Sequence, residues 1–399
     1  MIIILNQSKM KFKYPLASSS WDHKESKAMK NVIDNGFFTM GDKVKQFEEK
    51  FANYLGCKYC VMVNSGSSAN LLAISSLFYI KDSFENLKRG DEVIVPTVSW
   101  STTYYPLYQY GLKLIFVDID LYTLNYNLDS LKAAITNKTK AIMIVNLLGN
   151  PNNFEYIQDI VKDKKILLIE DNCESLGAEF QEKKAGTFGL LGTYSTFFSH
   201  HISTMEGGII STDNEEIYHI LLSLRSHGWT RNLPLKNRVC KKNIDNDFEE
   251  SFRFVLPGYN LRPLELSGAI GLEQLKKLPN LILERRKNAT CYLSSLCDNP
   301  NLILQKEIGK SSWFGFSLIL SKKAKIDRGM FINRLSEKGI ESRPIVSGNF
   351  LRNDVIKYFN FEVSGSTENA EMIDSNGLFI GNQHYPIPEI FEIINNIFD

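Results

Sequence analysis

Short apolar runs alternate with longer stretches of helical period through the first two thirds of this chain. The runs CVMV (60–63), EVIVP (92–96), LIFVD (114–118), AIMIVN (141–146), KILLIED (165–171) and TYSTFF (193–198) are short and mostly β-branched or aromatic, which predicts strands. Between them, SANLLAISSLFYI and NLDSLKAAI carry apolar positions at helical spacing. Apolar strands that follow amphipathic helices, buried on both faces, predict a mostly parallel α/β sheet.

The pattern then changes. Residues 230–252 (TRNLPLKNRVCKKNIDNDFEESF) are polar and charged without clear period, and read as an excursion from the main unit. Helical period resumes at PLELSGAIGLEQLKKL (263–278). Strand-like SWFGFSLIL and helical RGMFINRLSEKG follow, which predicts a large domain over 1–265 and a smaller C-terminal α+β domain over 266–399. In parallel sheets of this kind ligands bind beyond the carboxyl ends of the strands, so chemistry is expected just after each apolar run.

Composition narrows the classes of function. The 399 residues carry 46 Lys+Arg against 45 Asp+Glu, a net charge of +1, which gives no electrostatic case for nucleic acid or an anionic membrane. No apolar stretch reaches the roughly twenty residues of a membrane span. The opening MIIILNQSKMKFKYP has its lysines after a short apolar run, unlike a secretory signal, so a cytoplasmic protein is expected. Cys57 and Cys60 make a lone C-x-x-C without a second pair, and read as reduced thiols.

Four stretches after the strands carry polar chemistry. In VNSGSSAN (63–70) a strand runs through small residues into a helix, whose first N–H groups suit either a phosphate or an ordinary cap. Asp171 closes a buried strand, where a carboxylate needs a partner: a protonated heterocycle nitrogen, a cap or an ion pair. Trp100, just past EVIVP, suits stacking on a flat ring or packing. His200 and His201 in FFSHHISTMEGG are expected on a strand, pointing to opposite faces, and so cannot share a metal; no metal site is expected.

Together and in this order, SGSSAN, VSW, EDNCESLGA and FFSHHISTMEGG, followed by HGWTRNLP and PGYNLRPLE, resemble the sugar aminotransferase and dehydratase family of vitamin B6 enzymes. The resemblance spans almost the whole chain. It implies the aspartate aminotransferase fold: a three-layer sandwich on a mostly parallel sheet, with a smaller C-terminal α+β domain. In that family the segment before the Glu-Gly-Gly turn carries a lysine that holds pyridoxal phosphate covalently. Counting back six residues from Glu206 puts that position at His200, so the lysine is missing. A histidine there resembles the branch of 3-dehydratases that act on 4-keto-6-deoxy sugar nucleotides. The iron–sulfur branch needs closely spaced cysteines in the C-terminal half, and this chain has no C-x-C.

The resemblance implies a role for each matching residue. Gly66, Ser67 and Ser195 hold the cofactor phosphate, Trp100 stacks on the pyridine ring and Asp171 pairs with its nitrogen. Glu174 stands near the ring hydroxyl, where relatives place Gln or His. Asn260 reaches the phosphate of a neighbouring subunit, implying a homodimer. Arg231 and Glu341 contact the substrate, Glu341 at the guanine edge, while His227 reads equally as a contact or as packing.

The implied activity removes the C3 hydroxyl of a GDP-linked 4-keto-6-deoxy hexose. Pyridoxal or pyridoxamine phosphate is bound without a covalent tether, L-glutamate supplies the amine, and ammonia and 2-oxoglutarate are released. His200 is the one acid/base, because an imidazole can take and return a proton near neutral pH. A sugar 4-aminotransferase and an inactive sugar-nucleotide binding protein are the competing readings; the missing lysine opposes the first, and the retained Asp171, Trp100 and Ser195 oppose the second.

Overall fold

The computed structural model describes residues 12–398; the start of the opening segment read above for its lack of a secretory signal lies outside them. The apolar runs form β1 (Tyr59–Val63), β2 (Glu92–Pro96), β3 (Lys113–Val117), β4 (Thr139–Val145) and β5 (Leu167–Asp171). A small hairpin of β6 (Glu179–Phe180) and β7 (Lys183–Lys184) leads to β8 (Leu191–Ser195) and β9 (Gly208–Thr212). The C-terminal part adds β10 (Leu302–Leu304), β11 (Gly315–Leu320), β12 (Ser342–Arg343), β13 (Phe361–Ser364) and β14 (Gly377–Gly381).

The large sheet has the order β1-β9-β8-β5-β4-β2-β3-β13, parallel except where β9 pairs antiparallel with β1 and β8. Because β9 reverses between them, β1 and β8 run the same way as β2, β4 and β5. Both faces are covered, one by the cluster around Val61, Leu72, Phe116 and Ile210, the other by that around Ile94, Ile144, Phe154 and Leu168. The smaller sheet, β10-β11-β14-β12, packs on the helices Arg328–Glu337 and Glu389–Asn395 and the far end of helix Glu265–Leu296. That 32-residue helix packs closely on helix Asp42–Leu55: a Cβ at Gly268 would lie 2.5 Å from the Val44 nitrogen, so only glycine allows the approach.

Three expectations are corrected. The run TYSTFF leaves the sheet at Ser195, and His200 and His201 lie in the turn region between β8 and β9. The ladder ends there because Ser195 pairs with Gly208, the first residue of β9, while Ser195 Oγ takes the Phe197 N–H at 3.2 Å and the Phe197 carbonyl takes that of His200 at 2.9 Å. Local hydrogen bonds thus replace the ladder. Second, β13, from the segment expected in the smaller unit, adds to the large sheet beside β3. Third, the excursion 230–252 is not wholly irregular; it contains the short helix Asp247–Glu250.

Candidate active site

Strands β1, β2, β4, β5 and β8 direct their carboxyl ends at one cavity of about 310 Å³. The residues that follow each strand line it: Gly66 and Ser67 after β1, Trp100 after β2, Leu147 after β4, Glu174 after β5, with Asp171 and Ser195 at the strand ends. His200 enters from the β8–β9 turn, and Phe314, Arg343 and Val346 close the cavity from the C-terminal part.

An anion cradle is built at one end. Ser65 caps helix Gly66–Ser76, accepting the Ser68 N–H at 3.0 Å, and the first turn of that helix presents N–H groups to the cavity. The backbone passes tightly here: a Cβ at Gly66 would come within 2.6 Å of the Ser195 Cβ. Ser67 Oγ donates to Thr102 Oγ1 at 3.0 Å, adding two hydroxyls beside the cradle.

Asp171 forms the inner wall. It is 5 % exposed, and its Oδ2 accepts from Asn70 Nδ2 and Thr103 Oγ1, each at 2.8 Å, while Oδ1 accepts the Cys173 N–H at 3.1 Å. Asn70 is itself fixed, its Oδ1 accepting from Thr193 Oγ1 at 2.6 Å. Donors from two helices and from the backbone just after β5 therefore hold the carboxylate in one orientation, where a cationic ring nitrogen fits. Trp100, 55 % exposed at the start of helix Ser101–Gln109, offers a flat apolar surface to the cavity.

Glu174 accepts the Leu148 N–H at 3.1 Å. Burial raises its carboxyl pKa to about 7; the Leu148 N–H and Arg343 pull it down, and Asp171 pushes it up. At neutral pH this group is poised between donor and acceptor.

The two histidines separate by partner. The His200 ring lies 5.2 Å from Phe314 and 6.0 Å from Phe197, and its Nδ1 is buried with no hydrogen-bond partner. Burial, with Arg343 and Arg285, pushes its pKa down to about 3, so the imidazole is neutral near pH 7 and can accept a proton. His201 is buried, and its Nε2 lies 3.1 Å from the Ser312 carbonyl. Burial drives its pKa down as well, and since a carbonyl only accepts, the neutral ring carries its proton on Nε2. Among the described residues no three His, Cys, Asp or Glu side chains gather as a metal site, and no lysine lines the cavity.

Gly66, Ser67, Trp100, Asp171, Glu174, Ser195 and His200 are thus brought together; His227, Arg231, Asn260 and Glu341 are not. Glu341 Oε2 accepts the Leu16 N–H at 2.8 Å. Asn260 Oδ1 accepts from Arg262 Nε at 3.0 Å. The His227 ring lies 4.9 Å from Trp229, and the Arg231 guanidinium 4.7 Å over the same indole. Sequence reasoning missed Asn70, Thr103, Cys173, Phe314 and Arg343. A signal existed for Asn70, an amide inside the apolar helical run SANLLAIS, and for Arg343, two residues beyond Glu341 on a short strand. Phe314 gave none, being one aromatic in the aromatic run that leads into β11.

The site has close counterparts. The chain matches the DegT/DnrJ/EryC1/StrS aminotransferase family over residues 19–384. It is 60% identical over 383 residues, 96% of this chain and 97% of the relative, to GDP-4-keto-6-deoxy-D-mannose 3-dehydratase of Escherichia coli O55:H7. Two solved structures, each with a TM-score of 0.95, 58% identity and coverage of 97% of this chain and 100% of the other, are similar throughout. They are a mutant of GDP-4-keto-6-deoxymannose-3-dehydratase with bound GDP-perosamine, and the same enzyme with a trapped PLP-glutamate geminal diamine. This chain belongs to the DegT/DnrJ/EryC1/StrS aminotransferase family.

Proposed function

We propose that this chain is a vitamin B6-dependent dehydratase that removes the C3 hydroxyl of a GDP-linked 4-keto-6-deoxy hexose of the mannose series, giving the 4-keto-3,6-dideoxy sugar. L-Glutamate is the amino donor, and ammonia and 2-oxoglutarate are released. The observation that carries the reading is His200: a neutral imidazole with an unpartnered buried Nδ1, in a cavity lined by a fixed carboxylate, a phosphate cradle and no lysine. The relatives that hold GDP-perosamine and a PLP-glutamate adduct support the two substrates.

The residues fit the cofactor. The Ser65–Ser67 cradle and Ser195 would take its phosphate, Trp100 its ring face and Asp171 its ring nitrogen. When bound, pyridoxamine phosphate supplies the amine that joins the C4 ketone and a ring that accepts electron density from the adjacent carbon. Asp171 keeps the ring nitrogen protonated. His200 takes the proton from the carbon beside that ring and returns it to the departing C3 hydroxyl, which leaves as water. A lysine amine would compete for the same carbon, whereas imidazole moves protons without capturing it.

A homodimer belongs to the same proposal. His227, Arg231 and Arg262 gather around Trp229 outside the cavity of their own chain, beside exposed Phe252 and Phe254, and Arg262 donates to Asn260. A second copy gives this cationic and aromatic patch a GDP-sugar to bind. The six cysteines form no disulfide, which supports a cytoplasmic location.

The test is borohydride reduction of the protein loaded with pyridoxal phosphate, followed by denaturation and mass analysis. The unmutated protein releases the cofactor, and His200→Lys retains it covalently. Covalent retention by the unmutated protein overturns the reading.

A further inference from the structure

The stretch YPLASSSW (14–21) lines no part of the cavity. It runs past β12 and the long helix instead. Tyr14 bridges Ile340, Ser18 Oγ donates to Gln383 Oε1 at 2.5 Å, and Ser20 Oγ donates to Gln274 Oε1 at 2.7 Å. Its last residue, Trp21, donates from Nε1 to the Ser203 carbonyl at 3.1 Å. Ser203 lies in the turn that bears His200.

The opposite pole of Ser203 is held too. Its N–H donates to Gln274 Oε1 at 3.0 Å, and Gln274 is fully buried, its Nε2 donating to Glu25 Oε1 at 2.8 Å. Lys277 in turn lies 2.6 Å from the same Glu25 oxygen. On the other side of the turn, His201 Nε2 meets the Ser312 carbonyl. The segment has left the β8–β9 ladder, carries exposed Phe197, Phe198 and Met205, and has Met205 at φ 68. Backbone bonds close only its base, Thr196 N–H to the Gly207 carbonyl and Thr204 N–H to the Thr196 carbonyl, each 2.9 Å, so between Phe197 and Ser203 its aim rests on these side-chain ties from distant parts of the chain.

We propose that Trp21 and Gln274 are positioning residues for His200: by holding the C=O and N–H of Ser203 they fix the turn that aims the imidazole into the cavity. The catalytic half of this proposal rests on the reading of His200 as the proton carrier. In relatives with a lysine a covalent bond fixes the reacting group. Here the N-terminal strap and one buried amide do so, because a proton transfer tolerates little displacement between donor and acceptor.

Two variants test it. Trp21→Phe keeps a half-buried ring and removes only the Nε1 donor; Gln274→Met keeps length and removes the acceptor. Hydrogen exchange is followed in peptides covering 196–207, with peptides of β5 as reference, in protein without added cofactor. The expected result is exchange at least about 5-fold faster in the turn and unchanged in β5. In the assay, kcat for dehydration falls roughly 10-fold with KM for the sugar unchanged. Combined with His200→Asn, Trp21→Phe costs nothing further, because the tie acts only through the imidazole.

Unchanged exchange in the turn for Trp21→Phe overturns the proposal, whether or not Gln274→Met folds. An equal loss of kcat in the His200→Asn background overturns it as well, since the tie would then act elsewhere. Full activity of His200→Asn alone refutes the proton-carrier reading instead, and the exchange result still decides whether the strap holds the turn.

Discussion

At the scale of single residues, the proposed chemistry turns on His200 and Glu174. Replacing His200 by lysine restores a group that can capture the cofactor, so dehydration should fall by at least roughly 100-fold, the usual worth of a general acid/base. Product analysis of His200→Lys checks this, and retained dehydration contradicts it. The second residue sets a pH dependence. The Glu174 carboxyl is raised to about 7, so it is protonated below that pH and ionised above it. Only the protonated form can donate to a ring oxygen, so the rate should fall as pH rises through about 7. Glu174→Gln should hold its rate above pH 7; a profile unchanged from the parent's would remove the role. The places of Asp171 and Trp100 in the cavity were legible because one closes and the other follows an apolar strand. Thr103 was not, because an ordinary polar residue on a helix shows its partner only when the chain is folded, and for Asn70 the amide in an apolar helical run marked the residue but not its partner. Nor was it legible that Glu341 turns its carboxylate to Leu16, because the N-terminal strap beside it leaves no periodic trace.

At the scale of elements, the strands were read well because burial on both faces leaves near-continuous apolar runs. The error at TYSTFF has the same origin. Phe197 and Phe198 extend the aromatic run, but they are exposed and belong to the turn, so hydrophobicity alone cannot mark where β8 ends. What marks it is Gly208, whose close approach to Ser65 starts β9 and sets the last rung. A second element-level device is Glu170, fully buried beside Asp171 on β5. Its carboxylate accepts the N–H groups of Gly186, Phe188 and Gly189 at 2.5, 2.7 and 2.6 Å, pinning the approach to β8. Glu170→Ala strands these donors and should cost about 3 kcal/mol, read as a lower urea midpoint. An unchanged midpoint would show that the loop is held by other contacts.

At the scale of the whole molecule, the two sheets were foreseen but their exchange was not: β13 crosses back to the large sheet, a pairing of distant segments that no local pattern encodes. No helix among the described residues is long and apolar enough to cross a membrane. The proposed dimer makes a prediction at this scale. The chain of 45.5 kDa should sediment at twice that mass, and mixing His200→Asn with Arg231→Ala should restore activity. With random exchange about a quarter of all sites are intact, since one site of each mixed dimer carries neither change. No recovery would place Arg231 outside the partner's site.

The central claim is that histidine in place of lysine makes the outcome deoxygenation. The direct measurement is incubation with pyridoxal phosphate, L-glutamate and the GDP-linked 4-keto-6-deoxymannose, followed by identification of the sugar and assay of ammonia. The account predicts a 4-keto-3,6-dideoxy sugar with ammonia and 2-oxoglutarate in equal amounts. A GDP-4-amino sugar that retains its C3 hydroxyl, with no ammonia released, would contradict it.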